Sequence, residues 1–235
     1  MNQLLKTLAA SALAACGFMA HAATVTVSVT DKDGKPAADV VVLIDPAQKV
    51  PPRPAAAPVV ITQQDLRFVP FLTVVPAGST VRFVNRDAYD HHVRSTPSGP
   101  LGAIPAASAI ELRLDAVADA APPSRDEYAS GGPPRGRKSG QTSAEVRLSN
   151  AGPIGLGCHI HGSMRGQIYV AATPWHGKTD ANGSLVLEGV PEGAAELSLW
   201  HPDQLSEQAV VRLQVGATAV KSDVQLNFTP RRRRN

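Results

Sequence analysis

Apolar residues recur at every second position through most of this chain. Residues 24–30 read TVTVSVT, 80–85 read TVRFVN and 195–200 read AELSLW, each with a hydrophobic side chain at every second position. That spacing sends one set of side chains to a buried face and the other toward solvent, which is strand geometry. No stretch holds helical spacing over several turns. The pattern predicts strands at 24–30, 40–44, 59–62, 80–85, 110–115, 144–149, 166–171, 185–187, 195–200, 209–215 and 223–227, and an all-β fold class. Between them, Asp33-Gly34, Ala77-Gly78, Asn182-Gly183 and Glu192-Gly193 supply turn chemistry, with glycine available for positive φ.

Two segments break the alternation. Residues 50–58 (VPPRPAAAP) read as a stiff proline-rich linker. Residues 116–143 are polar, with GGPPRGRK at 131–138, and read as a long mobile loop.

The beginning of the chain changes the picture of its surroundings. Residues 1–22 carry Lys6, an alanine-rich apolar stretch and the small-x-small site Ala20-His21-Ala22, the pattern of a secretory signal peptide. Leu13-Ala14-Ala15-Cys16 offers a competing cut that makes Cys16 a lipid-anchored N-terminus. Both readings place the mature chain in the periplasm. No other apolar run approaches the roughly 18 residues that a membrane-spanning helix needs. The formal charge of +3 owes much to Arg231–Arg234. With that tail set aside the body is near neutral, which, with export and few aromatics, disfavours a nucleic-acid role.

Past residue 22 the chain keeps one cysteine, Cys158, so an intramolecular disulfide is excluded. Cys158 heads a Cys-x-x-His-x-x-Met run with His161 and Met164, and a second histidine cluster, His91 and His92, lies upstream. A soft thiolate, two imidazoles and a thioether are the donor set that suits copper cycling between Cu(I) and Cu(II), whereas structural zinc draws on more thiolates. Adjacent residues of an extended strand face opposite ways, so only one of His91 and His92 points inward. His159 lies out of phase with His161 and reads as surface. No Gly-x-Ser-x-Gly elbow, phosphate loop or carboxylate cage stands out, so the chain does not read as an enzyme.

Three pieces of residues 59–172 resemble the cupredoxin family, in its plastocyanin-like, methylamine-utilisation-type branch. PAGSTVRFVNRDAYDHHV (76–93) is similar to the family's strand leading into the first histidine ligand; GPIGLGCHIHGSMRGQIYV (152–170) is similar to its ligand loop and closing strand; ITQQDLRFVPFLTVVP (61–76) is similar to an early strand. The resemblance implies one type 1 copper held by His91, Cys158, His161 and Met164. It assigns the first imidazole to His91 because the following family position is commonly Asn, here His92. The ligand loop lacks the proline that related loops often carry.

The flanking pieces resemble a carboxypeptidase-regulatory or transthyretin-like sandwich: TVTVSVTDKDGKPAADVVVLIDP (24–46) and KTDANGSLVLEGVPEGAAELSLW (178–200). Two arrangements remain open. One is a split sandwich (24–50 with 174–229) into which the cupredoxin is inserted; the other is a tandem of separate domains.

Three functional readings follow: one-electron transfer with a periplasmic redox protein, dehydrogenase or cytochrome; copper carriage and handover, with His92 and His159 as extra exchangeable donors; or a non-redox scaffolding sandwich.

Overall fold

The structure, a computed structural model, describes residues 22–99, 102–117 and 140–231. The signal and lipidation readings at 1–21, the centre of the long polar segment at 118–139 and Arg232–Arg234 lie outside the described residues.

The described residues form sixteen strands and no helix: β1 (Ala22–Thr30), β2 (Val41–Pro46), β3 (Val59–Gln64), β4 (Arg67–Val69), β5 (Leu72–Pro76), β6 (Ser79–Asn85), β7 (His91–Thr96), β8 (Glu111–Leu114), β9 (Ser143–Leu148), β10 (Gly152–Cys158), β11 (Arg165–Ala171), β12 (Trp175–Lys178), β13 (Ser184–Pro191), β14 (Gly193–Trp200), β15 (Val211–Val215) and β16 (Val220–Gln225). The fold is all-β. Alternation produces the long strands directly: in β1, Val25, Val27 and Val29 are buried while the intervening Thr26 and Ser28 are only half-buried.

The strands assemble into four sheets, ordered β13-β1-β16, β12-β2-β14-β15, β5-β11-β10-β7-β8 and β4-β3-β6-β9. Two hydrophobic cores result. The first is built around Val25, Val27, Val42, Ile44 and Leu197, with residues from both ends of the described chain. The second, around Ile61, Phe83, Leu114, Leu148, Ile154 and Ile168, takes its buried residues from the middle of the chain. A smaller cluster of Val41, Leu72 and Trp200, with Phe71 and Tyr169 packed on it, joins strands of the first core to strands of the second.

Five strands, β4, β5, β7, β10 and β12, were not in the alternation pattern. β10 shows why. Its sequence GPIGLGC reads as turn, yet Ile154, Leu156 and Cys158 face the core while glycines occupy the other face. A Cβ on Gly155 would lie 2.6 Å from Oγ1 of Thr96 and 2.7 Å from the Pro97 carbonyl oxygen, so the chain leaving β7 crosses this strand too closely for any side chain. Residues 50–58 are irregular, and Pro54 lies against the β5–β6 turn, where a Cβ on Gly78 would meet it at 3.0 Å. The ends of the polar segment that follows β8 are tied together: Asp115 N–H donates to Gln141 O, and Gln141 N–H to Oδ2 of Asp115.

Candidate metal centre

Antiparallel pairing of β7 with β10 places Cys158 opposite Val93, so His91, two residues earlier on β7, faces the same interior as the thiol. His91 is fully buried and Cys158 is 4 % exposed. After Cys158 the chain turns sharply. The Met164 N–H donates to His161 O at 3.1 Å, closing the loop that carries His161 back toward the thiol before β11 begins.

Three donors meet as a result. Sγ of Cys158 lies 3.7 Å from Nδ1 of His91 and 3.6 Å from Nδ1 of His161, and the two imidazole nitrogens are 3.2 Å apart. The point equidistant from all three atoms lies about 2.0 Å from each, close to metal–imidazole and metal–thiolate bond lengths. No other group of three or more His, Cys, Asp or Glu donors with that compactness occurs among the described residues. Met164 is 1 % exposed and belongs to the same buried cluster as Cys158, so the fourth residue of the motif sits at the end of this loop as a core side chain.

Hydrogen bonding prepares the donors. Oδ2 of Asp87, a buried carboxylate, lies 2.8 Å from Nε2 of His91. That contact keeps the proton on Nε2 and turns the Nδ1 lone pair toward Cys158 and His161. Asp87 also accepts the N–H groups of Asp65 (2.7 Å) and Leu66 (3.2 Å), the two residues of the β3–β4 turn, which hold φ of 52° and 58°. Leucine rarely adopts such a φ. The carboxylate therefore fastens an unfavourable turn and a donor imidazole at once.

The electrostatics follow. Burial alone would raise the Cys158 thiol, but the His91 contact and backbone hydrogen bonds from His92, His161 and Ile160 outweigh it and hold the thiol below its ordinary range. The His92 N–H lies 3.4 Å from the sulfur. For His91, burial pulls the imidazole down, yet Asp87 and Cys158 prevail and raise it. Asp87 is lowered, because His91 and the two turn N–H groups outweigh its burial. His161 is lowered by burial and by the neighbouring His91. A polarised thiol facing two imidazole nitrogens is a soft, partly anionic donor set, which fits copper and leaves no carboxylate among the three converging atoms.

No family model matches this chain, and no curated protein matches it. Among solved structures, the chain is similar to a Cu(I) form of an amicyanin mutant (18% identity, TM-score 0.32, covering 55% of this chain and 97% of that one). It is also similar to a reduced amicyanin mutant (18%, 0.32, 54% and 97%) and an oxidized one (19%, 0.31, 54% and 97%).

His92 and His159 turn away from the three donors and meet edge-to-face on the outer face, ring centroids 5.6 Å apart. Two residues at the site carried no signal in the sequence. Asp87 looks like any turn aspartate, and Tyr89, 4 % exposed, packs its ring 5.8 Å from His91 and 5.4 Å from His161. Only spatial proximity identifies either, since neither residue type is diagnostic at that spacing.

Proposed function

We propose that the chain is a mononuclear type 1 (blue) copper protein that carries one electron between redox partners and is not itself an enzyme. The observation that carries this reading is the trigonal array of Nδ1 of His91, Sγ of Cys158 and Nδ1 of His161 around a point about 2.0 Å from each. His91, Cys158, His161 and Met164 would hold the copper in this reading. Bound copper supplies a one-electron couple between Cu(I) and Cu(II).

The protein's part is to keep the donors still. Strand pairing fixes Cys158, and Asp87 fixes His91, so a change of charge at the centre calls for little movement. His161 is half-buried, and Ile160 beside it is 52 % exposed. The edge of the ring and this apolar neighbour form the route and contact patch we assign to the partner, a periplasmic dehydrogenase, cytochrome or other redox protein. The signal pattern at 1–22 supports export to the periplasm. No helix among the described residues is long and apolar enough to cross a membrane. We further propose that the two cores mark two domains, 59–172 forming the cupredoxin and 24–50 with 174–229 a split carboxypeptidase-regulatory-like sandwich that positions it.

A second reading, Cu(I) carriage and handover, draws on the half-exposed His161 together with the outward His92–His159 pair, each member adjacent to a buried donor. One experiment separates the readings: copper titration followed by visible absorption and EPR, with Cys158→Ser as control. An intense thiolate-to-copper band that survives redox cycling and vanishes in Cys158→Ser establishes the electron carrier. Tight Cu(I) retention without the band establishes handover, and absence of stoichiometric binding defeats both.

A further inference from the structure

The outer face of the five-stranded sheet carries a feature that electron transfer does not require. Arg94 on β7, Gly157 on β10 and Arg165 on β11 lie directly opposite one another across three adjacent strands. Directly paired residues share a face of the sheet, so two guanidinium side chains rise on either side of a position with no side chain. Both arginines are exposed, and among the described residues neither makes an ion pair, although Glu111 on β8 is the cross-strand neighbour of Arg94 on the same face, where its carboxylate contacts His92 at 3.4 Å. One Nη of Arg165 donates to Met164 O at 2.7 Å, which turns the guanidinium back over the sheet; a Cβ on Gly157 would lie 4.0 Å from it and 3.2 Å from the Thr96 methyl. Glycine at 157 thus keeps the floor open.

These residues line a cleft of about 550 Å³ that also takes in Cys158, His159 and Gln167, with no aspartate or glutamate among the described residues on its walls. Ser98 Oγ donates to Oε1 of Gln167 at 2.8 Å, which leaves the Gln167 amide nitrogen as a further donor. The cleft therefore offers guanidinium and amide N–H groups and two positive charges, with the Glu111 carboxylate next to Arg94 outside its walls. Forked guanidinium groups match planar or tetrahedral oxyanions, and a charge-assisted bond of that kind is roughly twice as strong as a neutral one.

We infer that this cleft is an oxyanion site, taking a carboxylate or phosphate group between Arg94 and Arg165. It goes beyond the copper reading and does not depend on it, because none of its recognition elements is a proposed metal donor. Cys158 is among the residues on its wall, but its thiol faces the interior on the other side of β10.

The test is calorimetric and NMR titration of the metal-free full chain with inorganic phosphate and, separately, with a hexaglutamate peptide. The parent is compared with Arg94→Gln, a change at an exposed side chain, and with Arg94→Lys. Saturable binding that shifts the amides of Gly157, Gly162 and Gln167, and weakens about tenfold or more in Arg94→Gln with partial recovery in Arg94→Lys, establishes the site. Preference for phosphate identifies a free anion as its source, and preference for the peptide identifies an acidic protein segment. Shifts confined to the C-terminal arginines, equal binding by parent and Arg94→Gln, or no saturable binding by either probe overturns the inference. Because the readout contains no copper, loss of the blue band and loss of anion binding are separate results.

Discussion

Asp87 is where residue chemistry and architecture meet. Its carboxylate accepts two turn N–H groups and contacts His91, so its loss leaves the β3–β4 turn unclamped and the imidazole free to rotate. Asp87→Ala is expected to lower stability by about 3 kcal/mol, read as a shift in urea midpoint. Copper affinity is expected to fall by about 10- to 100-fold in a competition titration with a chelator, the range seen when a partner of a metal-bound histidine is removed. An unchanged copper affinity alongside reduced stability would restrict Asp87 to the turn. His91, Cys158, His161 and Met164 were readable as candidates because thiolate, imidazole and thioether are rare together at such short spacing. Asp87 was not, because an aspartate four residues before a histidine is ordinary turn sequence. Only the fold brings the β3–β4 turn over it.

At the scale of elements, the short β12 shows how a strand escapes a pattern based on alternation. Its sequence WHGK has one large apolar residue and a glycine, yet it pairs antiparallel with β2 from Trp175 opposite Ile44 to Lys178 opposite Val41. His176 donates from Nδ1 to Thr173 O at 2.7 Å, and burial, partly opposed by backbone hydrogen bonds, holds its imidazole below the ordinary value of 6.5. The unfolded chain therefore takes up this proton at a higher pH than the folded chain. Stability is greatest above pH 6.5 with respect to this group, declines as pH falls below that value, and levels off once folded His176 is protonated. Urea unfolding at pH 7.5 and pH 5 checks this, as the loss of stability between the two should be smaller in His176→Gln than in the parent; an identical loss would show that His176 titrates normally. β10 makes the complementary point, since its glycines hide a strand that close approach of the chain at Thr96 and Pro97 demands.

For the whole molecule, the cluster of Val41, Leu72 and Trp200 is the mechanical link between the two cores. The Trp200 ring lies 5.1 Å from that of Tyr169, and burial raises the Tyr169 phenol above its ordinary range, consistent with a sealed contact. Trp200→Ala removes the largest side chain of this cluster and is expected to cost about 3–5 kcal/mol. Because the loss falls on the link, scanning calorimetry of the variant should resolve one unfolding transition into two, whereas a single transition at lower temperature would show that the cores remain one cooperative unit.

Alternation of apolar residues by itself determined that the chain is all-β, because a period of two can bury one face only as a strand. Residue chemistry by itself nominated the donors, because few side chains bind a soft metal. The meeting of His91 with residues some 70 positions later was left to the tertiary structure, since which strands become neighbours depends on packing between distant segments. The same holds for Asp87 as an anchor and for the row formed by Arg94, Gly157 and Arg165. Each requires a register between strands, and register is set by how two whole faces pack together, a quantity that no local window of sequence contains.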